Sequence, residues 1–116
     1  MEDYSELAKV DDLVDGEMIK LFVDGKELLL AQVGDKYYCV DNRCPHLGGD
    51  LSAGELEGTV VTCPVHHSQF DLKDGSVIRW TDWSGIKLKL SNLFRSPRTL
   101  TNHDLIIEED TILVKI

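Results

Sequence analysis

Two short blocks, Cys44-Pro45-His46 and Cys63-Pro64-Val65-His66, constrain this chain more than any other feature. Each offers one soft thiolate and one borderline imidazole, the ligand types of a metal centre rather than of a packed core. One residue separates the ligands of the first block and two separate those of the second, so each can wrap tightly around a compact centre. The sixteen residues between His46 and Cys63 are enough for a hairpin that folds back and brings the blocks together. A Cys2His2 set also suits zinc, because tetrahedral S2N2 coordination serves zinc and iron–sulfur centres alike. Zinc modules usually take their histidine pair from a helix, whereas these blocks sit inside a longer chain with many strand-like runs.

Around the ligands, Cys44-Pro45-His46-Leu47-Gly48-Gly49 and Cys63-Pro64-Val65-His66-His67-Ser68-Gln69-Phe70-Asp71 resemble the two cluster-binding loops of the Rieske-type [2Fe–2S] proteins. The resemblance is clear from Arg43 to Gly75 and implies one cluster per chain, with Cys44 and Cys63 on one iron and His46 and His66 on the other. His67 follows His66 directly, and the family pattern C-P-x-H selects His66 as the ligand. His67 then stands exposed beside the cluster. High-potential members carry an extra Cys in each loop, joined in a bracing disulfide; the corresponding places here hold Gly49 and Val65. Those members also place a Ser and a Tyr hydroxyl near the cluster, where this chain has Ser68 and Phe70. Donors to the sulfurs stabilise the more negative, reduced cluster, so losing one lowers the potential. The resemblance therefore points to the ferredoxin and oxygenase branch and to the lower half of a window of about −150 to +300 mV.

Alternation and turn residues read as an all-β chain. Glu17 to Val23 and Glu27 to Val33 flank Asp24-Gly25, the strongest hairpin signal, and Lys36 to Val40 leads into the first ligand loop. Thr59-Val60-Val61-Thr62 is β-branched throughout and delivers Cys63. Gln69 to Leu72 and Ser76 to Trp80 flank Lys73-Asp74-Gly75, and Leu105 to Glu108 and Thr111 to Ile116 flank Glu109-Asp110. The family likeness implies an antiparallel sandwich or barrel base with the two ligand loops as a subdomain at one tip, about residues 41–75, in a single domain spanning 1–116. Gly48, Gly49, Gly54 and Gly58 suit tight turns and close backbone approach to sulfide. Pro45 and Pro64 restrict the loop backbone after each Cys. Between Thr81 and Asn102, Ser96-Pro97-Arg98 is the candidate for the Pro-containing loop that covers the cluster in related proteins; Trp80, Trp83 and Phe94 are large apolar groups, and the Trp pair reads as core packing ahead of a docking surface.

The third cysteine, Cys39, lies in the apolar run Tyr37-Tyr38-Cys39-Val40 and reads as a buried, inert thiol. His103 reads as a surface turn residue. Twelve basic against twenty-one acidic residues give a net charge of −9, which disfavours nucleic acid and suits steering toward a basic patch on a redox partner. No run reaches transmembrane length and the acidic start lacks the pattern of a signal peptide, so the expected location is cytoplasmic, with no membrane partner. The leading functional expectation is a one-electron carrier, itself non-catalytic, that passes electrons from a reductase to an oxygenase or another acceptor. A small cluster-bearing subunit of a reductase or oxygenase is the alternative, and a structural zinc module a third.

Overall fold

The computed structural model describes residues 4–44, 49–65, 67–79 and 100–115. Eleven strands occupy these residues, with two short 3₁₀ turns at Val10–Asp12 and Leu51–Ala53. The strands are β1 (Tyr4–Lys9), β2 (Met18–Val23), β3 (Lys26–Val33), β4 (Lys36–Asp41), β5 (Glu55–Glu57) and β6 (Val60–Thr62). They continue with β7 (Gln69–Asp71), β8 (Val77–Arg79), β9 (Asn102–His103), β10 (Leu105–Glu108) and β11 (Thr111–Lys115). Every strand pairing is antiparallel, and three sheets result, in the orders β1-β11-β10, β2-β3-β4-β9 and β5-β6-β7-β8.

The run Leu28-Leu29-Leu30-Ala31 explains how the sheets stack. A strand with one wet face alternates apolar and polar residues, whereas these four consecutive positions on β3 are all fully buried. Leu28 and Leu30 pack with Cys39, Ile112 and Val114 on the side of the β1-β11-β10 sheet. Leu29 and Ala31 pack with Val40, Val61, Phe70 and Leu72 on the side of the β5-β6-β7-β8 sheet. The β2-β3-β4-β9 sheet is thus the middle layer, and each buried leucine contributes roughly 1.5–3 kcal/mol relative to exposure. The Asp24-Gly25 turn that sets the β2–β3 register has positive φ at both residues, 51° and 81°, as a type I′ hairpin requires.

Three strands have no counterpart in the sequence reading: β1, which pairs with β11, β5, which pairs with β6, and β9, which pairs with β4. His103 is a correction. It lies on β9 opposite Cys39, its side chain is 9% exposed, and its Nε2 is 2.7 Å from Asp41 Oδ1. The polar run Thr101-Asn102-His103-Asp104 looks like a turn, yet two of its residues add an edge strand to β4. Trp80, Trp83, Phe94 and Ser96-Pro97-Arg98 lie outside the described residues. The chain re-enters at Leu100, whose N–H donates to the Gly75 carbonyl at 2.8 Å beneath the β7–β8 turn.

Candidate metal centre

The two ligand loops leave the fold at equivalent points and close in the same way. Cys44 follows β4 by three residues and Cys63 follows β6 directly. The N–H of Cys44 donates to the Gly49 carbonyl at 2.8 Å, and the N–H of Cys63 donates to the Ser68 carbonyl, also at 2.8 Å. Each bond spans five residues and so closes a small loop with a cysteine at its start. In sequence, His46 falls between the ends of the first loop and His66 between the ends of the second; both lie outside the described residues, as do Pro45, Leu47 and Gly48.

Both thiols are buried, Cys44 at 3% exposure and Cys63 at 2%, and both belong to the apolar cluster formed with Leu51, Val61 and Phe70. The loops touch at Gly49. A Cβ added there would lie 2.6 Å from Cys63 Sγ and 2.7 Å from Val65 Cγ2, so only glycine lets the first loop's backbone press against the second loop's sulfur. The same Cβ would stand 3.4 Å from that of Val65, about the spacing of disulfide-bonded pairs. Positions 49 and 65 are therefore neighbours, and the brace available to two cysteines there is replaced by glycine and valine. Gly54 is similarly confined, against the Thr62 carbonyl. Two buried thiols from adjacent loops, with a bare backbone pressed on one sulfur, fit a compact sulfur-ligated centre.

A polar network fixes the foot of the first loop. Asn42 is fully buried and donates its amide hydrogens to two carboxylates, Glu27 Oε2 at 2.6 Å and Asp50 Oδ1 at 2.7 Å. Its own Oδ1 accepts from the Ser52 N–H at 2.8 Å. Asp50 Oδ1 also accepts from the Ser52 hydroxyl at 2.6 Å, and Asp50 Oδ2 accepts from Lys20 Nζ at 3.1 Å. Arg43 closes the outer side with an ion pair to Glu27 at 3.1 Å. The Ser52 hydroxyl, then the Asn42 amide and the Lys20 ammonium, hold the Asp50 carboxyl well below the usual carboxylate range. Residues before Cys44 and after Gly49 are in this way tied to the β2–β3 hairpin. Sequence reasoning passed over Asn42 and Asp50; an asparagine and an aspartate flanking the first ligand block were the available signal.

The remaining candidates divide cleanly. Ser68 is fully buried next to Cys63 through its backbone bond, and Phe70 is fully buried in the core. His67 is exposed, adopts a positive φ of 61°, and donates its N–H to the Cys63 carbonyl at 3.0 Å. Histidine is among the few non-glycine residues enriched in that conformation. The imidazole lines a cleft of about 290 Å³ with Gly54, Glu55, Thr62, Cys63 and Pro64. Cys39 is 2% exposed, and burial, with the Asp41 charge behind it, pushes its thiol up to about 12, so it stays protonated and inert. Pro97 lies outside the described residues.

An all-β frame that anchors two buried thiols in paired, similarly closed loops is what a β-scaffolded, cysteine-ligated metal protein would need. The family model for the Rieske [2Fe-2S] domain matches residues 3–88. The ferredoxin component of a naphthalene 1,2-dioxygenase system from Pseudomonas putida is 34% identical over 91 residues, covering 76% of this chain and 88% of that protein. A ferredoxin component of naphthalene 1,2-dioxygenase/salicylate 5-hydroxylase systems from Ralstonia is 34% identical over 77 residues, covering 66% of this chain and 74% of its own length. Among solved structures, the ferredoxin of carbazole 1,9a-dioxygenase from Nocardioides aromaticivorans superposes with a TM-score of 0.78 at 23% identity, over 96% of this chain and 95% of that one. The chain belongs to the Rieske [2Fe-2S] domain family, and its cofactor is a single [2Fe–2S] cluster. No helix among the described residues is long and apolar enough to cross a membrane.

Proposed function

We propose that this chain is the electron-carrying ferredoxin of an oxygenase system, taking one electron at a time from a reductase and passing it to the oxygenase. What carries the reading is the pair of loops: two buried thiols on loops that touch at Gly49, in a chain related over most of its length to dioxygenase ferredoxin components. When bound, the cluster supplies one-electron redox chemistry. Cys44 and Cys63 hold one iron, and His46 and His66 the other. The buried thiols exclude water from the sulfur side, while Pro64 and Val65 stand exposed on the second loop, where a partner can reach them. Ser68, buried beside Cys63, would offer a hydroxyl to sulfur, and Phe70 has none to offer, which favours a potential in the lower half of the Rieske window. The chain is one domain over 1–116, with residues 41–75 as the cluster-binding part and a cytoplasmic location.

The test is direct. Purified protein should carry two irons and two inorganic sulfides per chain, bleach with dithionite and give a Rieske-type EPR signal. With a ring-hydroxylating-type reductase and NAD(P)H the cluster should reduce, and addition of oxygenase with its substrate should reoxidise it. His66→Ala should abolish the Rieske signal whereas His67→Ala keeps it. A colourless protein, or the reverse pattern of the two variants, refutes the assignment.

A further inference from the structure

The polar network at the foot of the first loop carries charge as well as shape. Asp50 directly follows Gly49, the residue whose backbone presses on Cys63 Sγ, and consecutive Cα atoms lie only about 3.8 Å apart. Its carboxylate is fixed by three donors from its own loop: Asn42 Nδ2 at 2.7 Å, the Ser52 hydroxyl at 2.6 Å and the Ser52 N–H at 3.1 Å. Its countercharge comes from elsewhere in the fold. Lys20, on β2 of the middle sheet, reaches it at 3.1 Å, and both side chains are partly shielded, at 38% and 30% exposure. A fixed negative charge next to a redox centre opposes the arrival of an electron, and a fixed positive charge assists it.

We propose that the Lys20–Asp50 pair sets the reduction potential of the cluster electrostatically, the carboxylate lowering it and the ammonium raising it, in addition to pinning the loop. The inference rests on the reading of these loops as the seat of a reducible cluster. Its signature is a difference in sign. Removing Lys20 leaves Asp50 held by Asn42 and Ser52, hence still ionised, and the uncompensated carboxylate lowers the potential. Replacing Asp50 by Asn keeps an oxygen for Asn42 and Ser52, removes the negative charge and leaves the ammonium, which raises it. A purely structural role would loosen the same loop in both variants and move them the same way.

The experiment measures midpoint potentials of the holoprotein by visible-CD spectroelectrochemistry for wild type, Lys20→Met, Asp50→Asn and the double variant. Thermal unfolding and iron content are recorded in parallel. The expected result is a downward shift for Lys20→Met, an upward shift for Asp50→Asn, a double variant between the two, and shifts that shrink as ionic strength rises. Two shifts of the same sign, or either single variant at the wild-type potential, overturns the proposal. A wild type without a reducible cluster overturns instead the function on which it rests.

Discussion

Gly49→Ala tests the contact that joins the two ligand loops. The added methyl would lie 2.6 Å from Cys63 Sγ and 2.7 Å from Val65 Cγ2, about 1 Å inside the roughly 3.5–4 Å of an ordinary contact. Val65, at 49% exposure, can turn aside, whereas Cys63, at 2%, has nowhere to go. Overpacking of this kind costs about 1–3 kcal/mol. With a middle value and about 4 °C per kcal/mol for a chain of this size, the melting temperature should fall by about 8 °C. Iron content should fall with it, because the displaced sulfur is a ligand in the proposed centre. Far-UV CD melting and iron analysis of the purified holoprotein measure both effects. Val65→Ala removes Cγ2, one of the two clashing atoms, so the double variant should recover about 0.5–1.5 kcal/mol in a mutant cycle. An Ala variant with wild-type melting and full iron would refute the argument that only glycine fits between the loops.

Three further perturbations are expected to have distinct outcomes. Asn42→Ala removes the donor to Glu27 and Asp50 and the acceptor for the Ser52 N–H; at about 1.5–3 kcal/mol per bond to a charged group, with partial rehydration, the loss should be about 3 kcal/mol in urea unfolding, and a loss under about 1 kcal/mol would contradict the network's role. Cys39 has a folded-state pKa raised from 9.0 to about 12, so its contribution is whole below pH 9 and is lost as pH rises from there toward 12. Over that interval its stability slope is about −1.4 kcal/mol per pH unit, which Cys39→Ala should remove; equal slopes for the two proteins would sink the reasoning. His103→Leu should cost no more than about 1 kcal/mol in the same unfolding assay, because Asp41 is 43% exposed and water can replace the imidazole.

The parts of the fold that were legible in the sequence were those with local causes. Asp24-Gly25 has the residue types a type I′ turn demands, and the hairpin formed there within a residue of its expected ends. Gly49 was legible as a point of close approach because it belongs to a glycine cluster that follows a cysteine-bearing block, where bare backbone can press on a neighbouring loop. The burial of Cys39 and Phe70 also followed from their apolar neighbours. What escaped depends on partners far away in the chain. Tyr4–Lys9 becomes a strand only because Thr111–Lys115 lies beside it, and its own pattern of Glu, Ala and Lys is a weak β signal. His103 faces inward because β4 and Asp41 receive it, and nothing in Asn102-His103-Asp104 announces that. Asn42 and Asp50 look like ordinary turn residues until Glu27 and Lys20, from the β2–β3 hairpin, are seen to meet them.

The placement of β11 between β1 and β10 has a consequence for the order in which the protein is assembled. During synthesis β1 emerges first, yet its neighbour is made roughly 100 residues later, a wait of about 5–20 s at ribosomal speeds of roughly 5–20 residues per second. The sheet β5-β6-β7-β8 needs only sequential hairpins within 55–79, which close in roughly 1–10 μs. The strands that carry Cys63 can therefore be in place on the nascent chain while Leu28, Leu30 and Cys39 still lack Ile112 and Val114 on their other side. The sulfur-bearing end is ready early and the opposite end is sealed last, so the interval of greatest exposure to misassociation falls on the part of the molecule farthest, in order of folding, from its cofactor.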